Sequence, residues 1–364
     1  AALSRGVSPI VDAGMEQLVR DGLDSGRLRF VVGAQDAARD AEFAYLCVPT
    51  PQGDDGAADL SYIEAAARQI GPVLPGEAVV INKSTVPVGS TRVVERVLGR
   101  PDVGVVSNPE FLREGSAVHD FLNPDRIVIG SEDQSAAVRV VSLYIGVTAP
   151  IIVTDPASAE TIKYASNAFL ATKISYVNAI AAVCEAVGAD VKDVVLGMGY
   201  DTRIGHEFLR PGPGWGGSCF PKDSRALVHI ADSAGYDFEL LRGVITVNDQ
   251  QFERIADKVA SSAGRQPGES LDGLTVAVWG LTFKARTDDT RDSPALEVIS
   301  RLQARGATVT AYDPSIKHRI VNLDPATDPY SACEGADVLA VLTEWDEFRW
   351  LDFDKVADLL TAPR

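Results

Sequence analysis

Cysteine is scarce. Cys47, Cys184, Cys219 and Cys333 lie far apart with no C-x-x-C between them, which excludes a disulfide framework and the usual zinc spacings. Histidine is equally sparse, and His119, His206, His229 and His318 show no metal-ligand spacing, so no metal site is expected. Basic residues are outnumbered, 34 Lys+Arg against 51 Asp+Glu for a net charge of −17, which excludes a general nucleic-acid binder. An anionic small molecule stays possible, because beyond a Debye length of about 8 Å the global charge is screened and local Lys and Arg decide. No apolar run approaches the ~18 residues of a membrane span, and no charged-then-apolar leader is expected at the start of the chain. The expectation is a cytoplasmic protein of a reducing compartment, with no membrane partner.

What is present is ordinary globular material: 364 residues, 46% hydrophobic and 23% charged. At roughly 150 residues per domain this suggests two or three domains. Short apolar segments read as strands at 27–32 (RLRFVV), 42–48 (EFAYLCV), 78–82 (AVVIN), 103–107 and 126–130 (RIVIG), with helical windows between them. Continuously apolar strands of this kind belong to a parallel sheet covered on both faces, so the class is α/β. Such a domain normally opens on an apolar strand and a Gly-rich turn. Here Ala1 to Leu3 reads as the tail of a helix, and the expectation is that the first strand-turn-helix lies outside the chain.

Asp155-Pro156 is a helix start, Asp as cap and Pro in the first turn, and no Pro or Gly follows until Gly188. A helix over that span is on the order of 45 Å long, the length of a connector and packing spine. The Gly- and Pro-rich stretch 210–217 (RPGPGWGG) leads to further helix, to about residue 260. After a polar linker at 264–273 the strand-helix pattern restarts with 274–279 (LTVAVW), a helix from about Ser293, 308–312 and 337–342 (DVLAVL). The chain stops at Arg364 before any closing strand. The expected divisions are 1–154, 155–262 and 263–364.

Chemistry concentrates at 216–223 (GGSCFPKD). Two glycines let backbone approach a ligand, Pro221 stiffens the bend, and Cys219 is placed for reaction rather than packed in a strand. A thiol of reference pKa near about 8.5 is roughly 3% thiolate at pH 7, already a usable nucleophile. Lys222 and Asp223 can tune it and position a water; the bland alternative is a small buried Cys in a tight turn. Lys163 and Asn167, four apart on the long helix, share one face and can hold an oxyanion, or can simply be solvated. The segment 108–114 (NPEFLRE) lies just past a strand end, where open α/β sheets bind ligands, and offers Glu110 and Glu114 for acid/base work or ribose contact. Ser84 and Thr85 sit at another strand end, as cofactor or water ligands or mere caps. Arg203 suits phosphate or carboxylate. Lys284, in 280–284 (GLTFK), and Arg291 occupy the turn after a later strand. Asp313 mimics a ribose-binding acid but lacks the glycines, and reads better as a turn signal.

These pieces, in this order, resemble the UDP-glucose/GDP-mannose dehydrogenase family of nucleotide-sugar dehydrogenases. The matching segments are CVPTP at 47–51, KSTVPVG at 83–89, NPEFLREG at 108–115, the Lys163/Asn167 helix, RIG at 203–205, GPGWGGSCFPKD at 212–223, GLTFKARTDDTRDSP at 280–294 and TEWDEF at 343–348. The Ser-Cys-Phe-Pro-Lys-Asp form looks like the UDP-glucose type, with GDP-mannose enzymes the nearest competitor. The resemblance implies two Rossmann-like parallel-sheet domains joined by a long central helix, and oxidation of the C6 alcohol of UDP-glucose to a carboxylate with NAD as cofactor. It makes Cys219 the nucleophile, Lys163 and Asn167 the oxyanion donors, Asp223 with Thr85 the groups that place water, and Glu110 the general acid/base. It puts Phe111, Leu112, Arg113, Phe208, Leu209, Gly212, Gly216, Gly217 and Lys284 on the nucleotide sugar, with Arg203 supplied by a partner in a homodimer built on the central helix. It puts Val48, Pro49, Thr50, Ser84, Thr85, Glu114, Lys222 and Arg291 on NAD. The family's opening Gly-rich loop and a late Asp-x-Arg-Asn strand are not found, and its early Glu-Pro-Gly reads Asp12-Ala13-Gly14.

Overall fold

The computed structural model describes residues 2–10, 12–51, 53, 58–320 and 322–361. Ala1 and Arg364, where the sequence suggested a helix tail and a chain stop, lie outside the described residues; Leu3–Arg5 form a single 3-10 turn. In chain order the elements are α1 (Met15–Asp24), α2 (Ala34–Ala38), β1 (Phe43–Leu46), α3 (Ser61–Ile70), β2 (Val79–Asn82), α4 (Ser90–Leu98), β3 (Gly104–Ser107), α5 (Ala117–Leu122), β4 (Ile127–Gly130), α6 (Gln134–Ser142) and β5 (Ile151–Thr154). They continue with α7 (Pro156–Val187), α8 (Val191–Gly199), α9 (Phe220–Ser233), α10 (Glu239–Ser262), β6 (Thr275–Trp279), α11 (Pro294–Ala304), β7 (Thr308–Tyr312), β8 (Val338–Val341) and α12 (Phe353–Leu359). The chain divides into two compact units, Ala1–Asn167 with Arg225–Asp237, and Ala168–Ser224 with Phe238–Arg364.

In the first unit the sheet runs β1-β2-β3-β4-β5. β1, β2 and β3 are parallel, as are β4 and β5, but β3 meets β4 antiparallel through Ser107 and Gly130. Alternate residues of β2 serve two cores. Val80 packs with Ile63, Ala67 and Ile70 of α3 and Val94 and Leu98 of α4. Val79 and Ile81 pack with Ala136, Ala137 and Val140 of α6. Burial on both faces is why these strands are apolar throughout. One expected strand is absent: 27–32 forms no ladder, and Val32 is 98% exposed. β1 pairs only with β2 among the described residues, and the apolar run at 27–32 joins no sheet, Leu28 N donating instead to the Gly22 carbonyl at 2.9 Å. β5, unforeseen from the sequence, closes the other edge with Ile151, Ile152 and Val153 partly exposed.

In the second unit β7-β6-β8 form a parallel three-stranded sheet. Val276 and Val278 of β6 face α10 and α11, burying Ala256, Ala260, Val298 and Leu302. Ala277 and Trp279 face Ala332, Cys333, Phe348 and Val356. Ser293 precedes α11 in extended conformation with Pro294 at its first turn, the start expected from the sequence.

α7 has 32 residues, hence is about 48 Å long, and runs from the expected Pro to the residue before Gly188. By length and composition it is apolar enough to cross a membrane, which corrects the reading that nothing approaches a span. Its polar residues argue for an internal helix instead. Glu160, Lys163, Asn167, Ser175 and Asn178 are buried, and Glu160, Lys163, Ser175 and Asn178 bond to other elements of the fold.

Candidate active site

In the first unit two loops leave the carboxyl ends of neighbouring parallel strands. The carbonyl of Leu46, last residue of β1, accepts from the backbone N–H groups of Lys83 (3.0 Å) and Ser84 (3.1 Å) just past β2. Ser84 Oγ donates to the Val48 carbonyl at 2.7 Å, and Thr50 Oγ1 donates to the Thr85 carbonyl at 2.8 Å. Val48, Pro49, Thr50, Ser84 and Thr85, five of the residues expected on NAD, are thereby gathered into one loop pair. The far end of the Lys83–Gly89 loop is held by Glu160 of α7, whose carboxylate accepts from Gly89 N (2.6 Å), Thr91 N (2.9 Å) and Thr91 Oγ1 (2.7 Å). An anion at the start of a helix satisfies otherwise orphaned N–H groups of α4. Burial pushes the Glu160 carboxyl up against the pull of those donors.

Beyond β3 the turn begins at Asn108, itself buried, whose Nδ2 donates to the Val128 carbonyl on β4 at 2.8 Å. Glu110 Oε1 lies 3.0 Å from Lys163 Nζ, and its Oε2 accepts from Leu112 N at 2.5 Å. Lys163 and Asn167 are both buried, which removes the solvated-face alternative. Lys163 Nζ also lies 5.3 Å from the Phe111 ring centroid, and Arg126 stacks on that ring at 3.6 Å. Arg113 turns its guanidinium onto Asp120 in a two-pronged contact of 2.9 and 2.6 Å. Leu112 is exposed beside it.

In the second unit the stretch from Phe208 to Cys219 is suspended from buried side chains of α7 and α10. Asn178 Oδ1 accepts from Gly212 N at 2.8 Å, and Gln251 Nε2 donates to the Gly212 carbonyl at 2.8 Å. Asn248 brackets Trp215, accepting from its N–H at 2.8 Å and donating to its carbonyl at 2.9 Å. Ser175 accepts from the Trp215 indole at 2.8 Å. Phe208 holds a left-handed φ of 61°, a strain tolerated where surroundings over-determine the backbone. Leu209 is buried next to it. Gly216 and Gly217 are required by close approach: a Cβ on Gly216 would lie 1.9 Å from the Asp292 carbonyl oxygen. Gly217, at φ 82°, would press 2.8 Å into the Phe283 ring. The bend therefore lies against the turn after β6 that carries Phe283, Lys284 and Arg291, and Gly217 N donates to the Arg291 carbonyl at 3.0 Å.

Cys219 is half-buried and immediately precedes α9, so the unpaired N–H end of a helix favours negative charge at this point. Ser218 Oγ is 3.5 Å from its Sγ. Asp223, one turn on, is buried with Lys222 Nζ at 2.5 Å from Oδ1. Asp313 is a turn organiser, as its sequence context suggested: its Oδ2 accepts from Leu281 N (2.7 Å), Thr282 N (3.3 Å) and Trp345 Nε1 (3.2 Å), anchoring the Lys284 turn. Arg203, 87% exposed, lies on Asp201 at 2.6 Å. Arg291 is likewise paired with Asp289 at 2.6 Å.

The expected residues thus group by unit. Thr85, Glu110, Lys163, Asn167, Phe111, Leu112, Arg113, Val48, Pro49, Thr50, Ser84 and Glu114 belong to the first; Cys219, Asp223, Lys222, Arg203, Phe208, Leu209, Gly212, Gly216, Gly217, Lys284 and Arg291 to the second. Sequence reasoning missed the supports: Glu160, Asn108, Ser175, Asn178, Asn248 and Gln251. Asn108 opens a segment already singled out, and the other five lie within the long helices α7 and α10, where spacing carries no signal of the loops they hold.

Three family models match in succession. Residues 1–148 match the NAD binding domain, 157–250 the central domain and 277–364 the UDP binding domain of the UDP-glucose/GDP-mannose dehydrogenase family. The chain belongs to this family. Among its relatives, UDP-glucose 6-dehydrogenase TuaD of Bacillus subtilis is 46% identical over 372 residues, covering 100% of this chain and 80% of the relative. The UDP-glucose 6-dehydrogenase of Rhizobium meliloti is 46% identical over 378 residues, covering 100% of this chain and 85% of its own. A solved UDP-glucose dehydrogenase from the archaeon Pyrobaculum islandicum superposes with a TM-score of 0.91 at 36% identity, over 100% of this chain and 88% of that one.

A member of this family uses NAD, and the first unit fits a dinucleotide. Its paired loops end adjacent parallel strands, the place where open α/β sheets take nucleotides. The Asn82 amide, buried at the last position of β2, has no hydrogen-bond partner on either atom among the described residues.

Proposed function

We propose that the chain is a UDP-glucose 6-dehydrogenase, oxidising the sugar C6 alcohol to the carboxylate of UDP-glucuronate through a covalent sulfur link. The observation that carries the reading is the Gly216-Gly217-Ser218-Cys219 bend, packed too tightly for any side chain at its glycines and presenting a thiol at the start of α9. NAD would supply the oxidant, two molecules per turnover, each accepting one of the two hydrides that leave C6. Glu110 takes the alcohol proton as the first leaves. The Cys219 thiolate adds to the resulting aldehyde carbon, forming the C–S bond. Lys163 and Asn167 hold the oxygen that becomes anionic, and burial strengthens that contact. Loss of the second hydride leaves a thioester. Asp223 removes a proton from water, which Thr85 orients; the water adds to the carbonyl and the C–S bond breaks, returning the thiolate.

Phe111, Leu112, Arg113, Phe208, Leu209, Gly212, Gly216, Gly217 and Lys284 bind the nucleotide sugar in this reading. Val48, Pro49, Thr50, Ser84, Thr85, Glu114, Lys222 and Arg291 bind NAD. The chain divides functionally into a cofactor part (1–154), a central part (155–262) and a nucleotide-sugar part (263–364). It acts as a homodimer with Arg203 reaching the partner's site. Support comes from apolar side chains left exposed along α7, Phe169, Tyr176, Val183 and Val187, and from the exposure of Arg203 itself. A cytoplasmic place of action suits four cysteines scattered along the chain with no disulfide framework in their spacing.

Assays of purified protein with NAD and either UDP-glucose or GDP-mannose test the reading. UDP-glucose should give two NADH per acid formed. A preference for GDP-mannose would overturn the substrate, and one NADH per released aldehyde would overturn the covalent relay.

A further inference from the structure

Lys83 sits at the head of the KSTVPVG loop, and its side chain does not join the loop's contacts with Val48 and Thr50. It points instead to the Asn108 turn. Its Nζ donates to Asn108 Oδ1 at 3.0 Å and lies 3.4 Å from Tyr144 OH, while Tyr144 OH donates to the same Asn108 oxygen at 2.5 Å. Asn108 is thus fixed at three corners: two donors on its oxygen, and its own amide on Val128. Two residues on is Glu110, the partner of Lys163. The charged and titratable groups acting on Lys83 come from several elements: Glu110 in the turn after β3, Cys47 after β1, Lys163 on α7 and Tyr144 after α6, the last coupled to Tyr45 of β1.

Lys83 thus holds the turn that carries Glu110 through Asn108, while the ion pair of Glu110 itself is with Lys163. If Lys163 serves an oxyanion on the substrate, as the proposed function requires, it must give up part of its pairing with Glu110. A carboxylate in a partly buried turn that gives up its ion-pair partner needs another positive charge or donor nearby to hold it in place. We propose that Lys83 is a positioning residue for this pair: anchored on Asn108, it fixes the turn that carries Glu110 and supplies a positive charge near it while Lys163 turns to the substrate oxygen. The inference rests on the roles given above to Glu110 and Lys163. Burial pushes the Lys83 ammonium down to about 8, against the pull of Glu110. That positive charge is therefore lost within a range of pH that kinetics can reach.

Three variants test this. Lys83→Met should lower kcat by about 10- to 100-fold while KM for UDP-glucose moves less than about threefold. Lys83→Arg, whose charge persists, should retain most of kcat and lack the alkaline fall in kcat expected of the parent enzyme near pH 8. Tyr144→Phe, removing one donor from Asn108, should lower kcat in the same direction but less. A merely structural Lys83 would alter Tm and leave the alkaline limb where it is. An arginine variant whose limb coincides with the parent's overturns the proposal, even if the methionine variant does not fold. A readout independent of turnover is the NMR titration of Lys83 in the intact protein. Glu110→Gln should lower its midpoint, and an unchanged midpoint overturns the proposal whatever the activity. Failure of the parent protein to oxidise UDP-glucose would overturn the functional reading instead, and the titration would still decide whether Lys83 supplies a positive charge near Glu110.

Discussion

Asp120 illustrates how much a single side chain organises here. It accepts from the Arg113 backbone N–H and guanidinium and from Ser116 Oγ, and so folds the NPEFLREG segment on itself. The Arg113 guanidinium holds the Asp120 carboxyl well below the usual carboxylate range. The unfolded chain would titrate near about 3.9, so the stabilisation is present above that value and is lost as pH falls toward the folded one. Asp120→Asn should therefore lose about 1–2 kcal/mol at neutral pH, Arg113 being solvent-exposed. The gap in thermal stability between the two proteins should narrow on approaching about pH 3. Parallel melting curves over that range would contradict it. Asp120 was not legible in the sequence, since nothing in a single carboxylate seven residues from an arginine distinguishes a buried clamp from a solvated face. Lys163 and Asn167 posed the same ambiguity, and only their burial settles it. Cys219 was singled out in the sequence by Gly216, Gly217 and Pro221 around it, and it is half-buried just before α9.

Among the elements, α7 was the easiest to read: Pro156 starts it, Gly188 ends it, and nothing between them breaks a helix. The strands were read from apolar runs, and that signal fails where pairing decides. The 27–32 run has no ladder, and the antiparallel meeting of β3 with β4 leaves no mark in composition. The stretch 210–217 stood out by its glycines and prolines, yet the amides that suspend it, Asn178, Asn248 and Gln251, are distant in sequence and invisible to spacing. Gly216→Ala tests whether that suspension matters. The obstructing atom is a backbone carbonyl, which cannot swing aside, so the bend must move. A displacement of that order should lower kcat/KM for UDP-glucose by about 10²-fold, with helical circular dichroism retained. Near-normal kcat/KM would mean that the bend is not part of the site.

For the whole molecule, the exposed stripe on α7 is the feature that a lone chain does not explain. Phe169, Tyr176 and Val183 recur every seven residues, with Val187 one turn beyond. If the proposed homodimer is built on this stripe, Tyr176→Asp should shift the protein toward monomer in sedimentation and raise KM for UDP-glucose. A monomeric parent protein would refute the dimer. The most direct test of the account as a whole is mass spectrometry of the protein quenched during turnover with UDP-glucose and NAD. Asp223→Asn is used to slow hydrolysis of the sulfur link. The account predicts a sugar-nucleotide adduct on the peptide containing Cys219, absent from Cys219→Ser, which should form no acid. Acid formation by Cys219→Ser at the parent rate, with no adduct in either protein, would contradict it.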